Sequence, residues 1–144
     1  MNCPGWVHPT DDPDLFVPWF DAVRDARGNV LTDGKGRARI KNPQGEIYRR
    51  DQVRLVAADD GNIRKGAYVP FTAAQMDGLV SALLWLKARA PASFRLDRVF
   101  GHDEVAVPTG RKLDPGGSLG RGAQAVNFVN FRAQLAERWA AVIR

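Results

Sequence analysis

The clearest periodic signal lies in the second half of the chain. From Phe71, the residues Met76, Leu79, Val80, Leu83, Leu86 and Ala90 recur at helical spacing. Thr72 stands where an N-cap should, and Gln75 three residues on completes a capping box. Pro91 stops the pattern. Leu84 and Trp85 broaden the apolar face, so this helix is expected to build core. A second helix is predicted over Val126 to Ile143, with Phe128, Phe131, Leu135, Trp139 and Val142 on one side. Its polar face is not strongly basic, so docking on the core is expected over a membrane surface.

The first half reads in shorter pieces. Asn2 to Pro13 is irregular and rich in Pro and Gly, and Asp11-Asp12-Pro13-Asp14 is a turn leading into a helix. Leu15, Phe16, Trp19, Phe20 and Val23 fit one helical face, predicting a helix over Leu15 to Arg27, with Pro18 in its first turn and Gly28-Asn29 after it. Arg37 to Lys41 and Glu46 to Arg49 flank Asn42-Pro43-Gln44-Gly45 and predict a hairpin. Val53 to Ala57 alternates like a strand, Asp59 to Asn62 is a loop, and Arg98-Val99-Phe100 reads as a buried strand running into a loop.

That last loop carries the candidate chemistry. It runs Gly101-His102-Asp103-Glu104-Val105, then Val107-Pro108-Thr109, then Gly110-Arg111-Lys112-Leu113-Asp114-Pro115-Gly116-Gly117. His102 and Asp114 are both of zinc-ligating type, bound at roughly 2.0 to 2.2 Å. On spacing alone, two such residues twelve apart are a weak signal, and a His beside a Gly is more often a solvated loop residue. Asp103 and Glu104 could supply further carboxylates, but adjacent positions at a strand end point in opposite directions. His8 is the only other histidine and so the only further imidazole for a third zinc ligand, but its place in the Pro-rich opening segment favours a solvated or capping role over a metal one.

The whole string resembles the carboxyl-terminal metal-site loop of zinc-dependent N-acetylmuramoyl-L-alanine amidases, the type 2 family that shares its fold with peptidoglycan recognition proteins. The resemblance runs from about Asn2 to Leu119 and is strongest from Pro70, where Phe-Thr-x-x-Gln opens a helix as in the family. It implies an α/β fold, a mixed sheet flanked by helices, in one domain over residues 1–144 that ends in a helix after residue 119. It implies Zn2+ as cofactor, His102 and Asp114 as metal ligands, and Lys112 as the residue that stabilises the transition state. Peptidoglycan or a muropeptide would be the partner, in the manner of a phage or prophage lysin. The loop here carries the Val107-Pro108-Thr109 expansion, about two residues more than the family usually has. On this alignment the family's first zinc His and its Gly-Ile-Glu strand fall before Met1, so the sheet is expected to be incomplete on that side. Two rivals stay open: a non-catalytic module that binds wall fragments, and a truncated, inactive amidase.

Composition trims the alternatives. At 144 residues with 44% hydrophobic and 26% charged residues, the chain is that of a globular domain. Cys3 is the only cysteine, which excludes an intramolecular disulfide and a cysteine-based zinc site. The net charge of +5 and pI near 9.9 fit a polyanionic partner, but no compact basic run or nucleic-acid motif is present, so nucleic acid is not expected. No stretch has the ~20 apolar residues of a membrane span. The start has no basic and apolar leader, so a cytosolic product, exported by a lysis system if at all, is expected.

Overall fold

A computed structural model of the chain describes residues 5–41 and 44–143. Strands come first and helices afterwards. The strands are β1 (Trp6–Pro9), β2 (Leu15–Pro18), β3 (Tyr48–Arg49), β4 (Arg54–Val56) and β5 (Gly66–Tyr68). The helices are α1 (Ala73–Arg89), the single turn α2 (His102–Val105) and α3 (Phe128–Val142), with 3-10 turns at Arg50–Gln52, Leu96–Arg98 and Gly116–Ser118. The sheet order is β3-β2-β1-β5-β4.

The fold combines α and β structure, but the expected mixed sheet is replaced by an antiparallel one. Every pairing among the described strands is antiparallel. A parallel pair needs a crossover, usually a helix between its strands, and among the described residues no α-helix precedes α1. No helix among the described residues is long and apolar enough to cross a membrane.

The helix expected over Leu15 to Arg27 is overturned. Residues 15–18 form β2, with Val17 opposite His8 and Phe16 opposite Pro9 on β1. Phe16, Val17 and Pro18 are buried in succession, which a strand covered on both faces allows and an amphipathic helix does not. Val17 is also β-branched and Pro18 has no N–H to give a helix. Beyond β2 the chain folds into an arm held by isolated bridges, Ala22 to Ile40, Arg24 to Val30 and Thr32 to Ala38. Gly28 turns the inner loop of the arm at φ +85.

The hairpin expected between residues 37–41 and 46–49 is likewise replaced. Ala38 and Ile40 pair inside the arm, while Tyr48 and Arg49 pair with Phe16 and Leu15 on β2. Asn42 and Pro43 of its expected turn lie outside the described residues. The expected strand at Arg98 to Phe100 is not formed either. Arg98 ends a 3-10 turn, and residues 99 and 100 lead straight into α2. β4 falls within the predicted Val53 to Ala57.

Helix α1 keeps its predicted start. Thr72 Oγ1 accepts from the Gln75 N–H at 3.1 Å, and Gln75 Oε1 accepts from the Thr72 N–H at 2.8 Å. Met76 and Val80 are buried with Leu96, Leu119, Phe128, Phe131 and Leu135 in one cluster, flanked by Leu79, Leu83 and Leu84. Trp85 does not broaden this face. It is 58% exposed and carries the Arg89 guanidinium 5.5 Å from its ring centroid. Asn127 caps α3 by accepting from the Asn130 N–H at 2.9 Å. Phe128, Phe131 and Leu135 of α3 are buried as its stripe predicts, whereas Val142 near its end is exposed. A separate cluster of Val7, Phe16, Val53 and Ala67 fills the sheet.

The segment 116–122 joins the two clusters. Arg54, only 5% exposed, donates through Nη1 to the carbonyls of Gly117 at 2.6 Å and Leu119 at 3.1 Å. Its Nη2 donates to Gly122 at 2.8 Å. Tyr68 of β5 lies directly beneath Gly117, where an added Cβ would meet the ring at 2.4 Å. Ser118 then accepts from the Phe71 N–H at 2.9 Å, just ahead of α1. Removing the guanidinium strands several buried carbonyls at once. Arg54→Ala is therefore expected to lower the free energy of unfolding by on the order of 3 kcal/mol, with Arg54→Lys recovering only part. Urea denaturation checks this, and a loss below about 1 kcal/mol would show that water replaces the guanidinium there.

Candidate functional site

The loop that follows Phe100 is fixed at both ends. Gly101 has no room for a side chain, since a Cβ would sit 2.2 Å from the Phe128 ring. It is the N-cap of α2, so His102 is the first residue of that turn. The next residue, Asp103, is 4% exposed. Its N–H donates to the Asp114 carbonyl at 2.9 Å, and its Oδ2 accepts from the Gly116 N–H at 3.0 Å. Asn62 Nδ2 donates to the same oxygen at 2.6 Å. Burial pushes the Asp103 carboxyl up, and these hydrogen bonds oppose the shift.

Neither acidic neighbour of His102 turns to the site. Asp103 closes the loop from inside. Glu104 forms a two-pronged ion pair with Arg132 of α3, at 2.8 Å for each oxygen. Asn62, expected only as a loop residue, also accepts from the Phe128 N–H at 2.9 Å and so ties the loop after β4 to α3.

This closure brings His102 and Asp114 together across twelve residues of sequence. His102 Nδ1 stands 3.2 Å from Asp114 Oδ2, and both side chains are exposed. The pair stands at hydrogen-bond distance. Two ligands of one tetrahedral ion at roughly 2.0 to 2.2 Å stand about 3.3 to 3.6 Å apart, so a small opening of the pair would admit zinc between them. Among the described residues no group of three His, Cys, Asp or Glu gathers around one point.

The pair and Lys112 line a cleft of about 910 Å³. Its far wall comes from β1 and the arm, which contribute Trp6, His8, Trp19, Phe20 and Arg24. On the other side, His102 and Asp114 also edge an apolar groove of about 470 Å³ lined by Phe71, Phe100 and Phe128.

His8 is the main correction to the sequence reading of the site. It lies on the central strand of the sheet, half-buried, with its ring 6.0 Å from that of Trp6. Burial first, and the charge of Arg24 second, push its pKa down to about 4. The imidazole is therefore neutral near pH 7. A helix over Leu15 to Arg27 would turn Trp19 and Phe20 into the core, which conceals them and Arg24 as a cleft wall. The available signal was the unbroken run Leu15 to Phe20, too apolar for one face of a surface helix.

No protein-family model, no curated protein and no solved structure matches this chain. The site is thus read from its geometry and from the residues of its loop.

The depressed pKa of His8 has a consequence for stability. The unfolded chain takes up a proton on this residue below its ordinary value of 6.5, while the folded chain resists until about pH 4. Stability contributed by neutral His8 is present above pH 6.5 and is lost as pH falls toward 4, by on the order of 2–3 kcal/mol. His8→Gln should flatten the acid limb of the stability profile between those two pH values. Chemical denaturation at pH 7 and pH 4.5 measures it, and an unchanged slope would reassign that limb to other groups.

Proposed function

We propose that this chain is a peptidoglycan amidase domain of the type 2 kind, cutting the amide between the lactyl group of N-acetylmuramic acid and L-alanine. The observation that carries the reading is the 3.2 Å approach of His102 Nδ1 to Asp114 Oδ2, with Lys112 on the same cleft. The residue types and their order are those of the amidase loop, and their spacing in space suits a shared ion. When bound, zinc supplies Lewis-acid polarisation of the scissile carbonyl.

The described residues would supply two of the zinc ligands and an oxyanion donor, while the family's third ligand and its catalytic Glu have no counterpart among them. His102 and Asp114 would hold the ion as two of its ligands, and the Asp103 hydrogen bonds keep the loop that carries them from opening. Lys112 donates to the carbonyl oxygen as negative charge gathers on it, and is worth most at the transition state. Trp6, Trp19 and Phe20 offer apolar surface on the facing wall, which orients the substrate and excludes water. That same wall favours a second reading, a module that holds wall fragments without cleaving them.

Turnover of a muropeptide, read as release of a peptide with a free L-alanine amine, decides between the two. Lys112→Ala is expected to lower turnover by ~10² to 10³ while leaving zinc content and muropeptide affinity nearly unchanged. His102→Ala and Asp114→Ala are each expected to remove zinc and turnover together. A chain that binds muropeptide, holds no zinc and releases no peptide is the binding module. Equal loss of affinity and rate in Lys112→Ala would make that lysine a substrate anchor instead.

A further inference from the structure

The cleft carries more positive than negative charge. Arg24, Arg111 and Lys112 line it, and Asp114 is the only carboxylate among its described lining residues. That carboxylate already faces His102. An incoming anion would therefore meet an uncompensated positive field, strengthened by the low-dielectric aromatic wall beside it.

The three cations are held differently. Arg111 and Lys112 are exposed on the loop. Arg24 is braced: Nη1 donates to the Gly28 carbonyl at 2.7 Å, and Nη2 reaches the Trp19 carbonyl at 3.4 Å. Its guanidinium carbon lies 5.8 Å from the centroid of the Trp19 ring. Trp19 and Phe20 meet edge to face at 5.6 Å, and both are nearly half exposed. A guanidinium already stacked and tethered loses little side-chain freedom when a ligand arrives. Its remaining N–H groups suit a planar carboxylate better than a point charge would. His8, on the same wall, is neutral near pH 7 and adds no charge of its own.

We propose that Arg24 is the anchor for a carboxylate on the ligand, so that the cleft selects acidic peptides over their neutral carboxamides. The identification of the ligand as the peptide stem of a muropeptide rests on the amidase reading. The anion anchor itself does not.

The test uses two matched pairs of probes on the full chain. One pair is an N-acetylmuramoyl-L-alanyl peptide ending in a free carboxylate, and the same compound as its carboxamide. The other pair lacks the sugar. Binding is read by calorimetry and by the NMR titration of His8, whose pKa should rise when an anion settles beside Arg24. The wild type is expected to prefer the carboxylate of each pair by about tenfold. Arg24→Gln should abolish that preference while leaving carboxamide affinity unchanged, and Arg27→Gln, a cation outside the cleft lining, should keep it.

Equal affinity for both members of each pair would overturn the proposal, as would a preference that survives Arg24→Gln. A single-stranded oligonucleotide that displaces the acidic peptide at equal concentration would replace the carboxylate with a phosphate chain and overturn it too. Selection among the sugar-free peptides without any turnover of muropeptide would keep the anchor and remove the hydrolase. Turnover that ignores the carboxylate would do the reverse.

Discussion

A buried cation without a counter-charge governs this molecule. Among the described residues the Arg54 guanidinium, which leaves β4, faces no carboxylate, only carbonyl dipoles of the segment 117–122. Burying a charge this way is costly, and Nε finds no partner among the described residues, so the segment must present its carbonyls to Nη1 and Nη2. Glycines make that possible. Gly120 has φ +120, and a Cβ there would strike the Gln124 carbonyl at 2.6 Å. Gly117 lets the backbone lie flat on Tyr68. The run of glycines after Asp114 is thus a requirement of Arg54 and Tyr68 as much as of the loop itself.

From that fixed segment the order propagates to the surface. The Gly116 N–H points at Asp103, Asp103 grips the Asp114 carbonyl, and His102 and Asp114 end up facing each other in the open. Exposed side chains in a defined relation are unusual, because solvent offers them many alternatives. Here the definition comes from beneath, from a hydrogen-bonded network whose members are buried or half-buried. The two polar residues nearest His102 in sequence are used up in this support, which leaves the histidine and the aspartate free for chemistry.

How much of this could be seen in the sequence depended on how local the determinants were. The start of α1 was legible because Thr72 and Gln75 satisfy each other across three residues. The stripe of α3 was legible for the same reason, as was β4. The association of His102 with Asp114 followed from a loop whose residues resemble a known one. Trp19, Phe20 and Arg24 were not legible as a cleft wall. Apolar residues at 15, 16, 19, 20 and 23 satisfy a helical period, and the pairing of β2 with β1 decides against it. His8 was misread for a related cause. A short segment dense in Pro and Gly looks irregular until its neighbours β2 and β5 are known. In both places long-range pairing overrode a local pattern.

The ion pair between Glu104 and Arg132 links the two ends of the site's history in the chain. Arg132 sits in the second turn of α3, yet it also donates to the Val99 carbonyl at 3.0 Å and lies 5.3 Å from the Phe100 ring centroid. It thereby braces the stretch immediately before His102 from thirty residues downstream. The last helix is in this sense the backrest of the histidine: losing α3 would take away this brace without removing any residue that lines the cleft.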